Sequence, residues 1–580
     1  MGLGMAIEAP KPDSLTPAPG GAPPPQRRQS SFQRELGDPD ISVEFVRKFS
    51  DNPSLSSSRY HSAQCQLQDS YVVDGTVLGC GASGEVVAAT CRLDGRRYAL
   101  KRFSKQSLSP EALSMLKREV EIYLTLDHPN IVRLHDVYDS EDALALVMEC
   151  CNGGELFDHL HRKQSYAECE AAHVTTQMLR AVSYLQSQNI AHRDLKLENF
   201  LYEDEDRDAH LKLIDFGFAK VWDHMTPMKA ACGSMDYVSP DVLSGSGYTD
   251  ACDMWSLGVI VFMLLAGHPP FYGGTRRDVA MKIVSGEPDW ASAAAKWQSV
   301  SRDGVDFVLR LLTKDPGRRP SAQQALGLRW VSTPKFSLGS EVGSEALRSL
   351  RRYAQSSRLR RAVLQLLAQE LDPRAEAHAR ELRTAFLRMD RDGSGRVPLE
   401  ELRDAMRWCR ASSGEDAGFG SFELPTPPQS PLAPYGAWGG IRRLLAPSRR
   451  ECKHCVTPST SASSLLDVDE GAPPASARTP PAGMRELCRA LDRKGTGQVS
   501  YSDFLAATMG SPGWRPREGA LRRAFRRLDA DGSGAVDAGD LHATLGETLD
   551  GAWPEDLLSE AGLGGAEGMS YEAFVKLVEG

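Results

Sequence analysis

The chain has 580 residues, which at roughly 100–200 residues per domain predicts about three domains. Hydrophobic residues make up 41% and charged residues 25%, so the composition supports at least one sizeable core. The net charge of −9 is small for this length and argues against a general nucleic-acid-binding protein. The 12 cysteines show no disulfide-like rhythm, so we expect a reducing compartment and a cytoplasmic location.

Residues 1–70 are rich in Pro, Ser, Gln and Arg and lack periodicity, which predicts a disordered N-terminal extension. The first ten residues contain neither the charged nor the apolar region of a signal peptide. Met1-Gly2 begins like a myristoylation signal, but Ala6 stands where that signal has Ser or Thr, so membrane association is left open. The longest apolar run, Leu257 to Ala266, is too short to span a bilayer.

Residues 71–330 change from strand-like to helix-like patterns along the chain. The strand-like segments are Tyr71–Leu78, Glu85–Ala89, Tyr98–Arg102 and Leu144–Met148. The helix-like segments are Glu155–Leu160, Ala171–Gln186 and Ser256–Ala266. A β-rich part followed by an α-rich part predicts an α+β domain with two lobes.

A series of motifs in this domain points to phosphoryl transfer. The pattern G-x-G-x-x-G-x-V begins at Gly79, and alone it is weak evidence, since glycines are common in turns. The pieces that follow at suitable distances are Ala99-Leu100-Lys101, Glu119 in a helical stretch, the catalytic-loop sequence HRDLKLEN containing Asp194, Lys196 and Asn199, and Asp215-Phe216-Gly217. A glycine backbone can approach phosphates closely, and cations neutralise the transferred charge, so the combination suits ATP chemistry.

In these motifs, residues 71–330 resemble a protein kinase, and Lys196 resembles the serine/threonine class. The resemblance implies that Asp194 accepts the substrate hydroxyl proton, that Asn199 and Asp215 hold Mg²⁺, and that Lys101 forms an ion pair with Glu119. It implies that ATP contacts Leu78, Gly79, Gly81, Gly84, Val86, Ala99, Lys101, the hinge backbone of Glu149 and Cys151 behind Met148, and Glu155. Glu155 and Glu198 together suggest substrates with an upstream arginine.

Two departures from the kinase pattern leave the catalytic groups intact. Asp241 stands where the family has Glu, and we expect it to pair with Arg319. Ser234 stands where the family often has Thr. Arg193 normally needs an anionic partner in the activation segment, and phosphorylated Thr226 is one candidate.

A basic segment follows, with six arginines and no acidic residue in Ala346 to Gln369. Its leucines recur at helical spacing, which predicts one basic amphipathic helix. Such helices bind calmodulin-like grooves or anionic membranes, although a packed helix with a solvated basic face fits as well.

Calcium-loop patterns begin at Asp390, Asp492 and Asp529, with a decayed copy at Gly562. The predicted ligands of the first loop are Asp390, Asp392, Ser394, the Arg396 carbonyl and Glu401. Those of the third are Asp529, Asp531, Ser533, the Ala535 carbonyl, Asp537 and Asp540, with position 12 one carbon shorter than Glu.

The second loop has Lys494 at position 3 and a short Asp503 at position 12, so we expect weak or no calcium binding there. The fourth lacks acidic ligands and should serve in pairing, with Met569 and Phe574 at packing positions.

In this order of parts the chain resembles the calcium-dependent protein kinase family, in which a kinase carries its own calmodulin-like EF-hand domain. The implied domains are the extension 1–70, the kinase 71–330, an autoinhibitory junction helix 331–371, the first EF-hand 372–410, a low-complexity insert 411–482 and three further EF-hands 483–580. The cofactors are then ATP, Mg²⁺ and Ca²⁺, and the partners are protein substrates.

We expect a monomer in which the EF-hands bind the junction helix and release the kinase when calcium arrives. Three alternatives stay open. The kinase fold is inactive and serves as a calcium-responsive scaffold, or the kinase is constitutive and its EF-hands are structural, or a separate calmodulin binds the junction.

Overall fold

The computed structural model describes the kinase and EF-hand regions with several gaps. The residues it describes are 50, 58–61, 66–81, 84–206, 209–230, 232–332, 349–350, 352–374, 376–402, 490–492, 495–510, 514–546, 549, 551–563 and 568–579. The predicted insert 411–482 and residues 1–49 of the predicted extension lie outside the described residues.

The N-terminal lobe is a six-stranded sheet with the order β1-β5-β6-β4-β3-β2 and one long helix, α2. Its elements are β1 Tyr60–His61, α1 Leu67–Ser70, β2 Tyr71–Gly81, β3 Gly84–Cys91, β4 Arg97–Ser104, α2 Pro110–Thr125, β5 Leu134–Asp139 and β6 Ala143–Glu149. Ser109 caps the N-terminus of α2, since its hydroxyl accepts the Ala112 N–H at 3.2 Å, and Pro110 fits the first helical turn. The four predicted strands are thus confirmed.

Part of the predicted disordered extension is folded, so that prediction is wrong for residues 58–61 and 66–70. Tyr60 and His61 form a strand parallel to β5, paired with Val137 and Tyr138. A two-residue strand leaves no periodicity to detect, and its order depends on side chains that bind the sheet. The Tyr60 hydroxyl donates to Asp139 at 2.5 Å, and His61 lies 3.0 Å from the Asp136 carboxylate.

The second lobe is mainly helical. Its elements are α3 Leu156–Lys163, α4 Glu168–Ser187, β7 Ile190–Ala191, β8 Phe200–Tyr202, β9 Leu211–Leu213, β10 Lys220–Val221, α5 Pro240–Ser244, α6 Ala251–Ala266, α7 Arg276–Ser285, α8 Ala294–Ser299, α9 Arg302–Leu311 and α10 Ala322–Leu326. Helix α6 is almost wholly buried at the centre of the lobe, with Trp255 stacked on Phe271 at 5.6 Å. One apolar cluster runs from α2 through this lobe, so the two lobes share a core. The predicted two-lobed α+β fold is confirmed.

The C-terminal region is α-helical with four short strands. Its elements are α11 Arg358–Glu370, α12 Ala377–Met389, β11 Arg396–Pro398, β12 Gln498–Ser500, α13 Tyr501–Thr508, α14 Glu518–Leu528, β13 Ala535–Val536, α15 Ala538–Leu545, α16 Pro554–Glu560, β14 Met569–Ser570 and α17 Tyr571–Glu579. The predicted continuous helix over 346–369 is interrupted at Ser356 and Ser357. The Ser357 hydroxyl accepts the Arg360 N–H at 3.2 Å and starts a new helix. The residue pair Ser356-Ser357 was the sequence signal for this break.

The calcium loops pair as predicted. Strand β11 of the first loop is antiparallel to β12 of the second, with Val397 opposite Val499. Strand β13 of the third loop pairs with β14 of the fourth, with Val536 opposite Met569. Met569 and Phe574 are both fully buried, which confirms the packing role expected of the fourth copy.

Helix α11 lies inside the EF-hand region and contributes to its core. Leu359, Val363 and Leu366 are fully buried in a cluster formed with α13, α14, α16 and α17. The predicted apolar stripe is therefore confirmed, and EF-hand helices cover it. In the described part of the chain, no helix combines the length and the apolar character needed to cross a membrane.

The EF-hand region docks on the kinase through buried arginines. The Arg383 guanidinium donates two hydrogen bonds to Glu203, at 2.8 and 3.0 Å, and both side chains are at least 95% buried. Arg523 pairs with Asp94 of the kinase and, at 2.9 Å, with Glu370 at the end of α11. Arg527 lies 3.1 Å from Glu370 and 3.4 Å from Asp136 of the kinase. Because buried charges are stable only when paired, these contacts fix how the two regions sit together.

Candidate active site and calcium loops

The glycine-rich turn connects strands β2 and β3 above the cleft. Gly79 pairs with Val86, and Gly81 pairs with Gly84, whose φ of +111° requires glycine at that position. A Cβ added at Gly79 or Gly84 would meet nothing within 4 Å, so the space beside the turn is open at both positions. Leu78 is 40% exposed. The structure thus assembles the predicted nucleotide-binding turn, except for residues 82 and 83, which lie outside the described range.

The predicted nucleotide-contacting residues of the sheet lie next to each other. Ala99 on β4 pairs with Met148 on β6, at the start of the hinge. Val86 pairs with Lys101, so the lysine lies beneath the glycine-rich turn. Sheet register alone therefore brings the turn, Lys101 and the hinge to one cleft.

Lys101 is paired with Asp215 rather than with Glu119. The Lys101 ammonium lies 4.0 Å from the Asp215 carboxylate. Both Lys101 and Glu119 are described, and no ion pair within 4.0 Å joins them, so the predicted pair is not formed in this structure. Glu119 is 9% exposed, and burial raises its pKa to about 7, partly offset by Lys101 and reinforced by Asp215. A carboxyl with a pKa near 7 is only partly ionised at neutral pH, which weakens its attraction for the lysine.

Asp215 is strained and ionised. Its φ of +63° places a non-glycine residue in the left-handed region, a strain that is commonly stored at functional sites. One carboxylate oxygen accepts the Gly217 N–H at 3.2 Å. Burial acts to raise the pKa of Asp215, but Lys101 and that N–H outweigh it, and the pKa lies below its usual value. Asp215 therefore presents a charged carboxylate to the cleft, as a Mg²⁺ ligand requires.

Asp194 is 7% exposed and is held by three groups. Its carboxylate lies 2.9 Å from the Lys196 ammonium and accepts the Ser234 N–H at 3.0 Å and the Ser234 hydroxyl at 3.1 Å. Asn199 donates its side-chain amide to the Asp194 carbonyl at 2.8 Å, which leaves the amide oxygen for a metal. These contacts orient the predicted proton acceptor and show that serine fills the position where kinases often have threonine.

Asp253 is a functional residue that the sequence motifs did not reveal. Its carboxylate accepts the N–H groups of His192 and Arg193, each at 2.8 Å, and so fixes the backbone of the catalytic loop. Burial raises the pKa of Asp253 to about 7, although these two N–H bonds lower it. The signal was an aspartate in the first turn of the otherwise apolar helix α6.

Arg193 has backbone and side-chain partners of its own. Its φ is +68°, and its guanidinium donates to the Phe218 carbonyl at 2.6 Å and to the Tyr248 hydroxyl at 3.2 Å. Thr226 is exposed, and its carbonyl accepts the Trp222 indole N–H at 2.8 Å. Phosphorylation of Thr226 stays a prediction. The expected pair between Asp241 and Arg319 is formed and almost fully buried.

The hinge is contacted from behind by the EF-hand region. Arg374, which follows the junction helix, donates to the Cys150 carbonyl at 2.5 Å. The Glu149 carboxylate lies 2.9 Å from the Lys212 ammonium, so its side chain is engaged in an ion pair within the kinase. Cys151 is half-buried. The cleft and the EF-hand region therefore share this short stretch of chain.

Glu155 and Glu198 form an acidic border of the cleft. Glu155 precedes α3, and its pKa is raised by partial burial and by the nearby carboxylates of Asp158 and Glu198. Glu198 accepts the Tyr237 hydroxyl at 3.5 Å. Carboxylates that repel one another in this way gain when a cation arrives, which suits a basic substrate residue.

The third calcium loop gathers its predicted ligands. Carboxylate oxygens of Asp529, Asp531 and Asp540 lie within 4.8 Å of one another. Ser533 donates to Asp529 at 3.4 Å and to the Ala535 carbonyl at 3.0 Å, and Asp537 caps helix α15 by accepting the Asp540 N–H at 3.0 Å. Oxygen ligands that converge on one point fit Ca²⁺.

The first calcium loop lies against the kinase and is less convergent. Asp390 accepts the Gly395 N–H at 2.9 Å and lies 3.4 Å from the Ser394 hydroxyl, which itself donates to the Arg396 carbonyl. Among the described residues, the carboxylates of Asp390, Asp392 and Glu401 do not all lie within 4.8 Å of one another as a group. The Glu401 side chain at position 12 is one carbon longer than Asp540 of the third loop, which predicts better bidentate reach in the first loop. Its position-3 ligand instead accepts a hydrogen bond from the kinase residue Gln323, at 3.3 Å.

The second calcium loop uses its position-12 carboxylate for another contact. Asp503 accepts the Gln365 side-chain amide at 2.6 Å, and Gln365 lies on α11. The Ser500 hydroxyl donates to the other Asp503 oxygen at 2.8 Å. This arrangement supports the expectation of weak or no calcium binding, because the carboxylate is already committed to the junction helix.

Comparisons with known proteins identify two kinds of domain in the chain. The protein kinase domain model matches residues 72–331, and the EF hand model matches residues 382–406 and 521–544. Calcium-dependent protein kinase 9 of rice (Oryza sativa subsp. japonica) is 30% identical over 524 residues, 90% of this chain and 78% of that protein. Calcium-dependent protein kinase 3 of Plasmodium berghei (strain Anka) is 33% identical over 343 residues, 59% of this chain. The chain spans 60% of the length of that Plasmodium relative.

Proposed function

The chain belongs to the calcium-dependent protein kinase family, and from this premise we propose that it is a calcium-regulated serine/threonine protein kinase. The observation that carries the proposal is the convergence of Lys101, Asp194, Asn199 and Asp215 on one cleft beneath the glycine-rich turn. Each of these residues has the charge or hydrogen-bonding capacity that its role requires. An inactive calcium-responsive scaffold would be expected to lack a catalytic group, and none of these four residues is missing.

The chemistry follows from the positions of the side chains. ATP supplies the phosphoryl group, and Asn199 and Asp215 are placed to hold the Mg²⁺ that accompanies it. Lys101 offers a positive charge to the phosphates, and the open space at Gly79 and Gly84 lets the backbone approach them. Asp194 orients the substrate hydroxyl and accepts its proton, while Lys196 beside it stabilises the negative charge that the phosphoryl oxygens carry.

The substrate class follows from the acidic border of the cleft. We expect a Ser or Thr acceptor preceded by an arginine, since Glu155 and Glu198 repel one another and a guanidinium relieves that repulsion. A lysine satisfies the same charge but not the bidentate geometry, so arginine should be preferred.

Calcium regulation is proposed to act through the junction helix α11. EF-hand helices bury this helix, and Asp503 binds Gln365 while Arg523 and Arg527 bind Glu370. At low calcium the segment near 335–370 keeps the kinase inactive, and calcium stabilises the state in which the EF-hands hold α11. A ligand shifts such a balance only by its difference in affinity for the two states. Two good loops instead of four make that shift smaller.

The Lys101–Glu119 pair is not formed although the EF-hands already hold α11, so we propose that activation requires a further movement of helix α2. Helix α2 must bring an ionised Glu119 to Lys101, because phosphoryl transfer in kinases depends on that pair. The EF-hand region contacts the chain just beyond this helix, where Ser502 donates its N–H and hydroxyl to Asp127 at 2.8 and 2.9 Å. Movement of the second EF-hand therefore has a direct route to α2.

The first experiment measures phosphate transfer from Mg-ATP to an Arg-x-x-Ser peptide in excess calcium and in chelator. The blank is Asp194→Asn, and an Arg-to-Ala peptide tests the substrate preference. A calcium-dependent rise that the blank lacks supports the proposal. Equal activity in both buffers leaves a constitutive kinase with structural EF-hands, and no activity in either, with ATP bound, favours the scaffold.

A second experiment identifies the loop that triggers activation. Glu401→Gln removes the position-12 ligand of the first loop, and Asp540→Asn removes that of the third. Because the ligands of the third loop converge, we expect Asp540→Asn to shift the calcium dependence of activity to higher concentration. If Glu401→Gln leaves calcium activation unchanged, the first loop is not the trigger.

A further inference from the structure

Arg59 lies outside the region that resembles a kinase, yet it is buried at the centre of the regulatory contacts. Only 6% of the residue is exposed. Its carbonyl accepts the Val137 N–H at 2.8 Å, which continues the pairing of β1 with β5. Burying an arginine is costly unless its guanidinium is hydrogen-bonded, so its partners indicate what it does.

The guanidinium binds the end of helix α2. One nitrogen donates to the Leu124 carbonyl at 2.5 Å and another donates to the Leu134 carbonyl at 2.9 Å, where β5 begins. The last carbonyls of a helix lack partners within it and carry a partial negative charge. The last turn of α2 contains no basic residue of its own. Arg59 therefore supplies from the N-terminal extension the cation that this helix end lacks.

The same helix carries Glu119. Five residues separate Glu119 from Leu124, which is about 7.5 Å along a helix axis. By joining Leu124 to the start of β5, Arg59 fixes the distance between the C-terminal end of α2 and the sheet that carries Lys101. The neighbouring carbonyls have local partners, since Ile122 accepts the Thr125 hydroxyl at 2.6 Å and Tyr123 accepts the Leu126 N–H at 3.3 Å.

The β1 strand also meets the EF-hand region. His61 and Arg527 both contact the Asp136 carboxylate, at 3.0 and 3.4 Å. Tyr71 donates its hydroxyl to the same carboxylate at 2.5 Å. The N-terminal extension and the third EF-hand are thus anchored to one acidic residue of β5.

We propose that Arg59 is a positioning residue, which caps helix α2 from the N-terminal extension and so fixes the helix that carries Glu119 against the sheet that carries Lys101. Only the expected effect of Arg59 on the rate of phosphorylation rests on the proposed kinase function. The capping contact itself is independent of catalysis and can be measured without it.

The test uses the full chain and compares wild type with Arg59→Gln and Arg59→Lys. Hydrogen exchange measured by mass spectrometry reports the opening of α2, with peptides from α4 as an internal reference. We expect Arg59→Gln to speed exchange over residues 120–126 by about tenfold and α4 to stay unchanged. Arg59→Lys should give an intermediate effect, because one ammonium does not reproduce the forked geometry that reaches both carbonyls.

Peptide phosphorylation in saturating calcium provides the second readout. Arg59→Gln should lower kcat by about tenfold and leave the KM for the peptide unchanged, since α2 does not touch the peptide. Arg277→Gln, which removes an exposed arginine from helix α7, is the matched control and should match wild type in both assays.

Unchanged exchange over 120–126 in Arg59→Gln overturns the proposal, and so does a uniform rise across α2 and α4. If Arg59→Gln does not fold, Arg59→Lys decides the question by the same criterion. If wild type shows no activity in calcium but Arg59→Gln still speeds exchange in α2, the kinase proposal is refuted and the capping role is supported.

Discussion

Glu370 offers the sharpest test of how the EF-hand region is held on the kinase. This carboxylate at the end of α11 is 1% exposed and lies 2.9 Å from Arg523 and 3.1 Å from Arg527. Both arginines also reach kinase carboxylates, Asp94 and Asp136. Glu370→Gln keeps the size of the side chain and removes only its charge, so the substitution isolates the electrostatic contribution.

The size of the effect follows from these distances. At about 3 Å and an effective dielectric constant near 20, one such pair gains about 5–6 kcal/mol before desolvation is counted. Removing one partner of a buried pair typically costs about 3–5 kcal/mol. Since each arginine keeps another carboxylate, we expect about 3 kcal/mol, the lower end of that range, and about 3 kcal/mol corresponds to a roughly 150-fold change in an equilibrium constant.

Hydrogen exchange of α11 and α14 in the full chain is the appropriate assay, because a multidomain protein need not unfold in two states. Glu370→Gln should speed exchange in both helices by roughly 150-fold, whereas the exposed carboxylate Glu555, changed to Gln, should have no such effect. An increase below about threefold would refute the electrostatic reasoning. An equal increase throughout the kinase would show that the effect is not local.

The pH dependence has a defined sign. Burial acts to raise the pKa of Glu370, but Arg523 and Arg527 outweigh it, and the pKa lies below its ordinary value. A depressed pKa means that the stabilisation is present above the pKa of the unfolded chain and is lost as pH falls through the folded-state pKa. Wild type and Glu370→Gln should therefore converge at low pH.

Three further predictions concern the catalytic and calcium sites. Because burial raises the pKa of Glu119 to about 7, the carboxyl is protonated at lower pH, and kcat/KM should rise with pH through about 7 in wild type but not in Glu119→Gln. Asp540→Asn should weaken calcium binding to the third loop by at least about tenfold, measured by calorimetry, with unchanged affinity contradicting that site. Asp503→Asn should leave the number of bound calcium ions unchanged, since that carboxylate binds Gln365; a lost ion would show that the second loop binds metal.

The motifs determined much of the catalytic site in advance. Lys101, Asp194, Asn199 and Asp215 were identifiable because kinase chemistry needs those residue types at characteristic spacings. Sheet register then places Lys101 beside the glycine-rich turn and the hinge. The paired calcium loops were equally predictable, since each loop contains its own short strand. Local sequence is sufficient for such features because their partners lie nearby or in fixed register.

Contacts between distant surfaces were not predictable in the same way. Arg59, Arg374 and Arg383 bind carbonyls or carboxylates far away in the chain, and any exposed arginine has the same local sequence character. The Lys101–Glu119 pair was predicted but is not formed in this structure, for a related reason. Its formation depends on where α2 sits against the sheet, a distance of a few ångströms that motif spacing does not encode.

The contact of Arg374 with the hinge has a pharmacological consequence. Cys150, whose carbonyl accepts that hydrogen bond, lies between Glu149 and Cys151, the two residues whose backbones are predicted to bind adenine. A compound bound in the adenine position would therefore contact the same short hinge segment that the EF-hand region contacts through Arg374. Thermodynamic linkage is reciprocal, so any factor by which calcium changes the affinity of such an inhibitor is the factor by which the inhibitor changes calcium affinity. Inhibitor potencies for this enzyme should therefore be compared only at a stated calcium concentration.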